Sequence, residues 1–150
     1  MIRAFTPAYF RNFIFGVEDS LVSTVGLLSG VASANVAGST ILLTGLVLIF
    51  VEAFSMAAGS FLSEGAGADF AVQQKTSAQK PFVSSVIMFF SYLIAGFIPL
   101  APYMLLDPSR AFSLSIAASL IALCGLGLIA GKMSKTSLLR NGLRMTLVGG

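Results

Sequence analysis

Long apolar stretches separated by short polar connections dominate this chain. Four of the stretches are about twenty residues long or more, which lets a helix cross a bilayer core of ~30 Å. Each stretch is bounded by polar or turn-forming residues that end the apolar pattern. The predicted membrane spans cover residues 12–36, 40–63, 82–106 and 111–131.

The first two spans are joined by a short connection and the second and third by a longer one. Residues 34–39 form a tight turn with the sequence Ala-Asn-Val-Ala-Gly-Ser. The first two spans are therefore predicted to form a helical hairpin. Residues 64–81 are the longest polar stretch of the chain, and we expect them to form a cytoplasmic loop or one short helix.

Prolines and a tight turn mark the end of the third span. Pro99 and Pro102 are expected to kink or end the helix, because proline lacks the backbone N–H that a helix interior needs. Residues 107–110, Asp-Pro-Ser-Arg, are predicted to be a turn in which Asp107 or Ser109 caps the next helix.

A last apolar segment covers residues 138–150, and its thirteen residues are too few for a full span. In a helix they reach only about 20 Å. Either the segment lies in the membrane interface, or the chain stops part-way through a fifth span, which we favour. The predicted fold class is an all-α integral membrane protein with four transmembrane helices plus the start of a fifth. These helices would form a five-helix transporter bundle, with residues 1–150 as a single transmembrane domain.

The composition agrees with a membrane protein. Hydrophobic residues make up 56% of the chain and charged residues only 10%. Soluble domains usually contain ~45–50% apolar and ~25% charged residues. A mean hydropathy of +0.92 leaves too little polar surface for a water-soluble domain. The main partner of this surface is therefore expected to be the lipid bilayer.

The positive charge indicates membrane orientation rather than nucleic-acid binding. The net charge is +3, but the basic residues are scattered through the connections and form no stripe beside aromatic residues. Basic residues concentrate in cytoplasmic connections. The N-terminus and the loop 64–81 are therefore predicted to be cytoplasmic, while the identity of the membrane stays open. If the spans alternate in direction, only Arg110 lies on the opposite side from Arg3, Arg11, Lys75, Lys80, Lys132 and Lys135.

Several kinds of chemistry are excluded or disfavoured. The chain has no histidine, and its one cysteine, Cys124, lies inside an apolar run, so neither a disulfide framework nor a thiolate metal cluster is expected. It also lacks the nucleophile elbow, the Walker loop and the HExxH motif. We therefore expect no enzyme and no cofactor. Any ion chemistry must use carboxylates, thioethers, hydroxyls or the backbone.

Three carboxylates lie within the predicted spans. Glu18 and Asp19 are in the first span and Glu52 is near the middle of the second. A charged group at the centre of a transmembrane helix costs ~2.5–3.5 kcal/mol even on insertion scales, so such residues usually face the protein interior or a wet cavity. The alternative for Glu18 and Asp19 is a position at the membrane interface, or pairing of one of them with Arg11.

A mixed set of oxygen and sulfur ligands follows from helical spacing. Glu52 lies one turn before Met56, and a carboxylate and a thioether one turn apart can meet the same ion. This mixture suits a transition metal better than Mg²⁺ or Ca²⁺. Glu52 and Met56 are therefore candidate metal ligands. The alternative for Met56 alone is to fill a gap in a packed core.

Four segments resemble the vacuolar iron transporter family: residues 11–24, 52–59, 96–103 and 140–145. The resemblance implies a five-helix homodimer that exchanges ferrous iron, or manganese, for protons along a pathway between the subunits. The metal would be the transported substrate rather than a cofactor. By the same resemblance, Asp19 corresponds to the metal-binding aspartate of the first helix and Met56 to the methionine of the second. With the other carboxylates of the spans, the predicted metal site comprises Asp19, Met56, Glu52 and Glu18.

The chain also departs from the family pattern. Glu18 stands where an asparagine is frequent, and Ser60 stands where an acidic residue is frequent. Many members also carry a long glutamate-rich cytoplasmic domain, for which only residues 64–81 remain here. The function predicted from these observations is a divalent metal ion transporter that works by proton-coupled antiport. The alternative is a non-transporting membrane scaffold or assembly protein with the same fold.

Side-specific labelling tests the predicted topology. Cysteines introduced at Lys75 and at Ala37, each in a Cys124→Ser background, should react with a membrane-impermeant thiol reagent from opposite sides of the membrane. The reason is the difference in basic residues between the two sides. Labelling of both positions from the same side would contradict the hairpin.

Overall fold

A computed structural model of the chain describes residues 7–70 and 79–133, which form four helices. Each helix is long and apolar enough to cross a membrane. The expected all-α fold with four spanning helices is therefore confirmed, whereas the predicted start of a fifth at 138–150 lies outside the described residues. The helices are α1 (Pro7–Ser33), α2 (Gly38–Phe70), α3 (Gln79–Leu105) and α4 (Pro108–Met133).

The turn between α1 and α2 depends on Asn35. This residue has a positive φ of 53°, a left-handed conformation that asparagine tolerates better than most residues. Its N–H donates to the carbonyl of Ala32 at 3.2 Å, which closes the end of α1. The carbonyl of Ala37 then accepts from Thr40 and Ile41 at the start of α2. The hairpin expected from residues 34–39 is present.

The predicted loop over residues 64–81 is shorter than expected, because both flanking helices extend into it. α2 continues to Phe70 and α3 begins at Gln79, while residues 71–78 lie outside the described residues. Glu64 lies within α2, and Asn12 of α1 donates a hydrogen bond to its carboxylate at 2.8 Å. A helix can extend beyond the membrane, so the predicted end of the second span at residue 63 stays a prediction.

The sequence predicted that α3 would kink or end at its two prolines. The helix does not end there. It passes through Pro99 and Pro102. Ser115 of α4 donates a hydrogen bond to the Pro99 carbonyl at 2.7 Å, which ties α4 to this part of α3. After α3, the carbonyl of Asp107 accepts from the N–H groups of residues 110 and 111. Asp107 rather than Ser109 therefore takes the capping position.

Helix α3 is the central helix of the described bundle. Half of its most apolar segment is buried, against 22–28% in the other three helices. It packs on all three of them. The outward faces carry large apolar side chains such as Ile94, which is 67% exposed. These faces are suited to lipid.

Two glycines allow α3 to approach its neighbours closely. A β-carbon at Gly96 would lie 2.7 Å from Cγ1 of Ile49 on α2 and 2.9 Å from the Ser20 hydroxyl on α1. A β-carbon at Gly16 would lie 3.0 Å from Cβ of Ser91 on α3. Helices α1 and α2 contact α3 more extensively than they contact each other. The space between α1 and α2 is therefore available for a cavity.

Candidate functional site

The four predicted metal ligands lie on α1 and α2. Glu18 and Asp19 of α1, and Glu52 and Met56 of α2, are all partly buried. Glu18 and Asp19 are adjacent in sequence and therefore point about 100° apart around the helix. Of these four residues, Asp19 and Glu52 belong to a group around Tyr92, and Met56 lines a cavity. The assignment of all four residues as metal ligands stays a prediction.

Tyr92 of α3 links the first group. Its side chain is fully buried, and its hydroxyl shares a hydrogen bond with Ser23, with 2.6 Å between the two oxygens. Ser20 donates to the backbone carbonyl of the same tyrosine at 2.7 Å. Asp19 and Glu52 both act electrostatically on the tyrosine hydroxyl. One carboxylate of α1 and one of α2 therefore act on the same phenol through their charge, without a hydrogen bond to it among those of the described residues.

Met56 belongs to the second group. It lines a cavity of about 570 Å³ together with Met88 of α3 and Glu64 of α2. Met88 reaches this place beside Gly16, where a β-carbon would lie 3.1 Å from its sulfur. Two thioethers and one carboxylate thus face one space. Neither Asp19 nor either of the other two predicted carboxylates lines this cavity.

Asn12 connects α1 to α2 at this cavity. It is only 6% exposed. Its side-chain N–H₂ donates to the Ser60 hydroxyl at 3.1 Å and to Oε1 of Glu64 at 2.8 Å. The ionised carboxylate can only accept, so the amide nitrogen is the group that must face it. The side chain of Glu64 is therefore held at a defined position by an uncharged donor.

Four residues of α2 extend across both groups. They recur at every fourth position, a step of about 40° around the helix, so the row winds by about 120° from the first residue to the last. The distance from the first to the last is about 18 Å along the helix axis. Facing positions on the other two helices carry Asn12, Tyr92 and Met88. We call these eight residues the polar column. Its members are Glu52, Met56, Ser60 and Glu64 of α2, Asn12 and Asp19 of α1, and Met88 and Tyr92 of α3.

The polar column is not a closed metal cage. In residues 7–70 and 79–133, no group of three or more His, Cys, Asp or Glu side chains is arranged to hold a metal. The candidate ligands are few in each of the two groups, and they differ in chemical type, with carboxylates near Tyr92 and thioethers and a carboxylate in the cavity.

Sequence reasoning missed Asn12, Glu64, Met88 and Tyr92. Glu64 was assigned to the connection after the second span, and a buried methionine carries no signal beyond that of a core residue. Tyr92 had a usable signal, because a tyrosine inside an apolar span brings a hydroxyl that needs a partner. The sequence did not show which helix would supply that partner.

A double-mutant cycle tests the link between Ser23 and Tyr92. Ser23→Ala and Tyr92→Phe should each lower stability in detergent, and their combination should cost less than the sum. The expected coupling is about 0.6 kcal/mol, with an upper limit near ~1.7 kcal/mol, as for other hydrogen bonds between membrane helices. Chemical unfolding of the purified variants measures it. The control pair is Tyr92→Phe with Ser113→Ala, which is exposed on α4 and should be additive; additive losses in the Ser23 cycle would contradict the link.

Comparisons with known proteins cover nearly the whole chain. A sequence profile described as the VIT family matches residues 10–80 and 66–150. Vacuolar iron transporter homolog 2 of Oryza sativa subsp. japonica is 26% identical over 157 residues, which span 94% of this chain and 83% of that protein. Vacuolar iron transporter homolog 1 of the same plant is 29% identical over 158 residues, 95% of this chain and 68% of that protein. Vacuolar iron transporter 1 of Tulipa gesneriana is 22% identical over 199 residues, which span 93% of this chain and 81% of that protein.

These matches confirm the resemblance drawn from the sequence motifs. Together with the four apolar helices, they identify an integral, multi-pass membrane protein. Proteins of this family are transporters rather than enzymes, which agrees with the expectation of a chain without an enzymatic centre. The profile matches together cover far more than half of the sequence, and the chain therefore belongs to the VIT family.

Proposed function

We propose that this protein carries a divalent transition-metal ion, ferrous iron or manganese, across a membrane in exchange for protons. The observation that carries the proposal is the polar column between α1, α2 and α3, which places carboxylates at two depths of an otherwise apolar bundle. The names of the two rice relatives, vacuolar iron transporter homologs, support iron as the cargo.

The donor set favours a transition metal. Carboxylate oxygens alone would suit Mg²⁺ and Ca²⁺, whereas thioethers favour softer ions. Met56 provides the thioether on α2, one turn from Glu52. Ferrous iron and manganese accept oxygen ligands readily, and iron gains more from sulfur. The mixed set therefore supports iron over alkaline-earth ions.

Exchange for protons follows from the chemistry of a carboxylate ligand. A carboxylate must be deprotonated to bind a metal ion, so the ion and the proton compete for the same oxygens. Asp19 is the central carboxylate in this scheme, and Glu52 takes part through its shared neighbour Tyr92. A proton that binds on one side of the membrane would displace the metal. A difference in pH across the membrane would then drive transport.

We also propose that two copies of the chain form a homodimer in which the half-buried Asp19 edge of the polar column faces the other copy, so that both chains border the metal pathway. Gly26 and Gly30 lie on the same face of α1 as Asp19, and both are exposed with open space where a β-carbon would be. Small residues on an exposed helix face allow close approach of a second helix in a membrane. The face that carries Asp19 is therefore the one best suited to meet a second subunit.

Transport by Asp19 variants tests the function. Asp19→Asn keeps size and hydrogen bonding but removes the charge, so uptake of iron into proteoliposomes under a pH gradient should fall to the leak of empty liposomes. Glu52→Gln should also impair uptake. Met56→Ala removes a soft ligand and leaves the oxygens, so uptake should weaken and the preference for iron over manganese should decrease.

The matched control is Asp107→Asn, the same change at an exposed carboxylate outside the helices, where asparagine caps as well as aspartate. This variant should transport at the wild-type rate. Wild-type transport by Asp19→Asn would show that the mechanism assigned to this carboxylate is wrong. Absence of transport by the wild-type protein itself would favour the scaffold or assembly role instead.

Crosslinking in membranes tests the homodimer. Cysteine at Gly26 or at Gly30, in a Cys124→Ser background, should form an intersubunit disulfide under mild oxidation. Cysteine at Ile94, which is exposed on the outer face of α3, should not. Equal crosslinking at all three positions, or none at the two glycines, would count against a pathway between subunits.

A further inference from the structure

Four buried hydroxyl groups of the described residues have no hydrogen-bond partner, and two of them lie on α1 and α4, which pack against each other. These two belong to Thr24, which is fully buried, and to Ser119, which is 1% exposed. A buried hydroxyl without a partner is costly, because it has lost its hydrogen bonds to water and gained none in the protein. Both groups therefore require an explanation.

The backbone of α3 adds a third polar group at Pro99. In a regular helix, the N–H of residue 99 would donate to the carbonyl of Ala95, but proline has no N–H. The proline ring also clashes with the carbonyl one turn before it. Membrane helices tolerate a proline where side chains of neighbouring helices or ordered water bind the freed carbonyl. The Ala95 carbonyl therefore needs a donor from outside the regular hydrogen bonds of α3.

The contacts between α3 and α4 place Ser119 at the height of this carbonyl. Ser115 of α4 donates to the carbonyl of Pro99 at 2.7 Å. Leu123 of α4 belongs to the same buried cluster as Ala95. Ser119 lies midway between Ser115 and Leu123, about one turn from each and on the same helix face. Its hydroxyl is therefore level with the backbone of α3 between Ala95 and Pro99.

Helix α1 brings Thr24 to the same height. Leu21 of α1 is the third member of the cluster that Ala95 and Leu123 form. Thr24 follows Leu21 by three residues, which places it on the same face and about 4.5 Å farther along the helix. Helices α1 and α3 run in the same direction, so this step leads from Ala95 towards Pro99. The three polar groups therefore meet where α1, α3 and α4 pack together.

We propose that one water molecule binds between the hydroxyls of Thr24 and Ser119 and the carbonyl of Ala95, and that it joins the three helices at Pro99. A buried water makes about three hydrogen bonds to polar groups that otherwise lack partners. This water donates one hydrogen to the carbonyl and one to a hydroxyl, and it accepts the hydrogen of the other hydroxyl. Each of the three protein groups thereby gains a partner.

The chemistry of the three oxygens favours water over a cation. A carbonyl and two hydroxyls carry no net charge, so a cation among them would be buried without a counter-charge in an apolar interior. Thr24, Ala95 and Ser119 also have small side chains, which suits a molecule of the size of water. None of the three belongs to the polar column. The water site is therefore separate from the proposed metal pathway and does not rest on the transport proposal.

Removal of each hydroxyl tests the water site. Loss of a buried hydroxyl that has no partner should leave stability unchanged or raise it, whereas loss of one that holds a water should lower it. Thr24→Val and Ser119→Ala should each lower the folding equilibrium constant about threefold, the average effect of one hydrogen bond between membrane helices. Chemical unfolding of the purified full chain in detergent measures this constant.

The same change in a Pro99→Ala background shows whether the carbonyl takes part. Pro99→Ala supplies the missing N–H to the Ala95 carbonyl, so the water loses a partner and the effect of Ser119→Ala should become smaller. Ser115→Ala is the matched control, one turn away on α4. Its hydroxyl donates directly to the carbonyl of residue 99, which both backgrounds retain. The loss of stability in Ser115→Ala should therefore be the same in both.

A high-resolution structure checks the site directly, and it should show one density peak within hydrogen-bond distance of all three oxygens. Well-ordered side chains with no peak between them would overturn the proposal. So would unchanged or higher stability in both Thr24→Val and Ser119→Ala, or an equal effect of Ser119→Ala in the two backgrounds. Exchange of Na⁺ for choline in the buffer should leave the stability unchanged. A loss of stability on this exchange that Ser119→Ala abolishes would identify a cation instead of water.

Discussion

Polar groups inside a membrane-spanning bundle must find their hydrogen-bond partners within the protein, because lipid offers none. Here that requirement joins three helices at two levels. Asn12 of α1 bonds Ser60 and Glu64 of α2, and Ser20 and Ser23 of α1 bond Tyr92 of α3. Each bond also limits where the carboxylates beside it can lie. The helix packing and the candidate metal pathway therefore depend on the same interactions.

The polar contacts require helices that come close together, and small residues make this possible. Gly96 leaves room for Ile49 and for the Ser20 hydroxyl, and Gly16 leaves room for Met88. Larger side chains at these positions would separate α3 from α1 and lengthen the hydrogen bonds of Tyr92. The central position of α3 is thus a consequence of close packing as well as of its apolar sequence.

The arrangement explains how a protein with few metal ligands could still select its ion. Oxygen and sulfur ligands occur at successive levels of the polar column rather than in one cluster. In the proposed transport function, the small number of donors at each level favours movement of the ion from one level to the next. In that function, the soft thioether groups of Met56 and Met88 favour transition-metal ions, whereas a carboxylate alone would not distinguish these from alkaline-earth ions.

Much of this protein followed from its sequence. Apolar stretches of sufficient length determined the four spans, and the cost of a charge in lipid singled out Asp19 and Glu52 as residues to explain. The motifs around Asp19 and Met56 were specific enough to indicate the family, which the profile match then confirmed. These features are local, because each depends only on a short segment of sequence and on whether that segment lies in lipid or in water.

The tertiary structure decided which of these residues meet. Glu64 was placed in a polar connection, yet it lies on α2 and accepts a hydrogen bond from Asn12, which is distant in sequence. Met56 faces Met88 in a cavity, while Glu52, one turn away, lies near Tyr92. Helical periodicity assigns a residue to a face, but it does not say which helix packs against that face. That choice depends on close packing and on the hydrogen bonds between helices, which involve residues far apart in the chain.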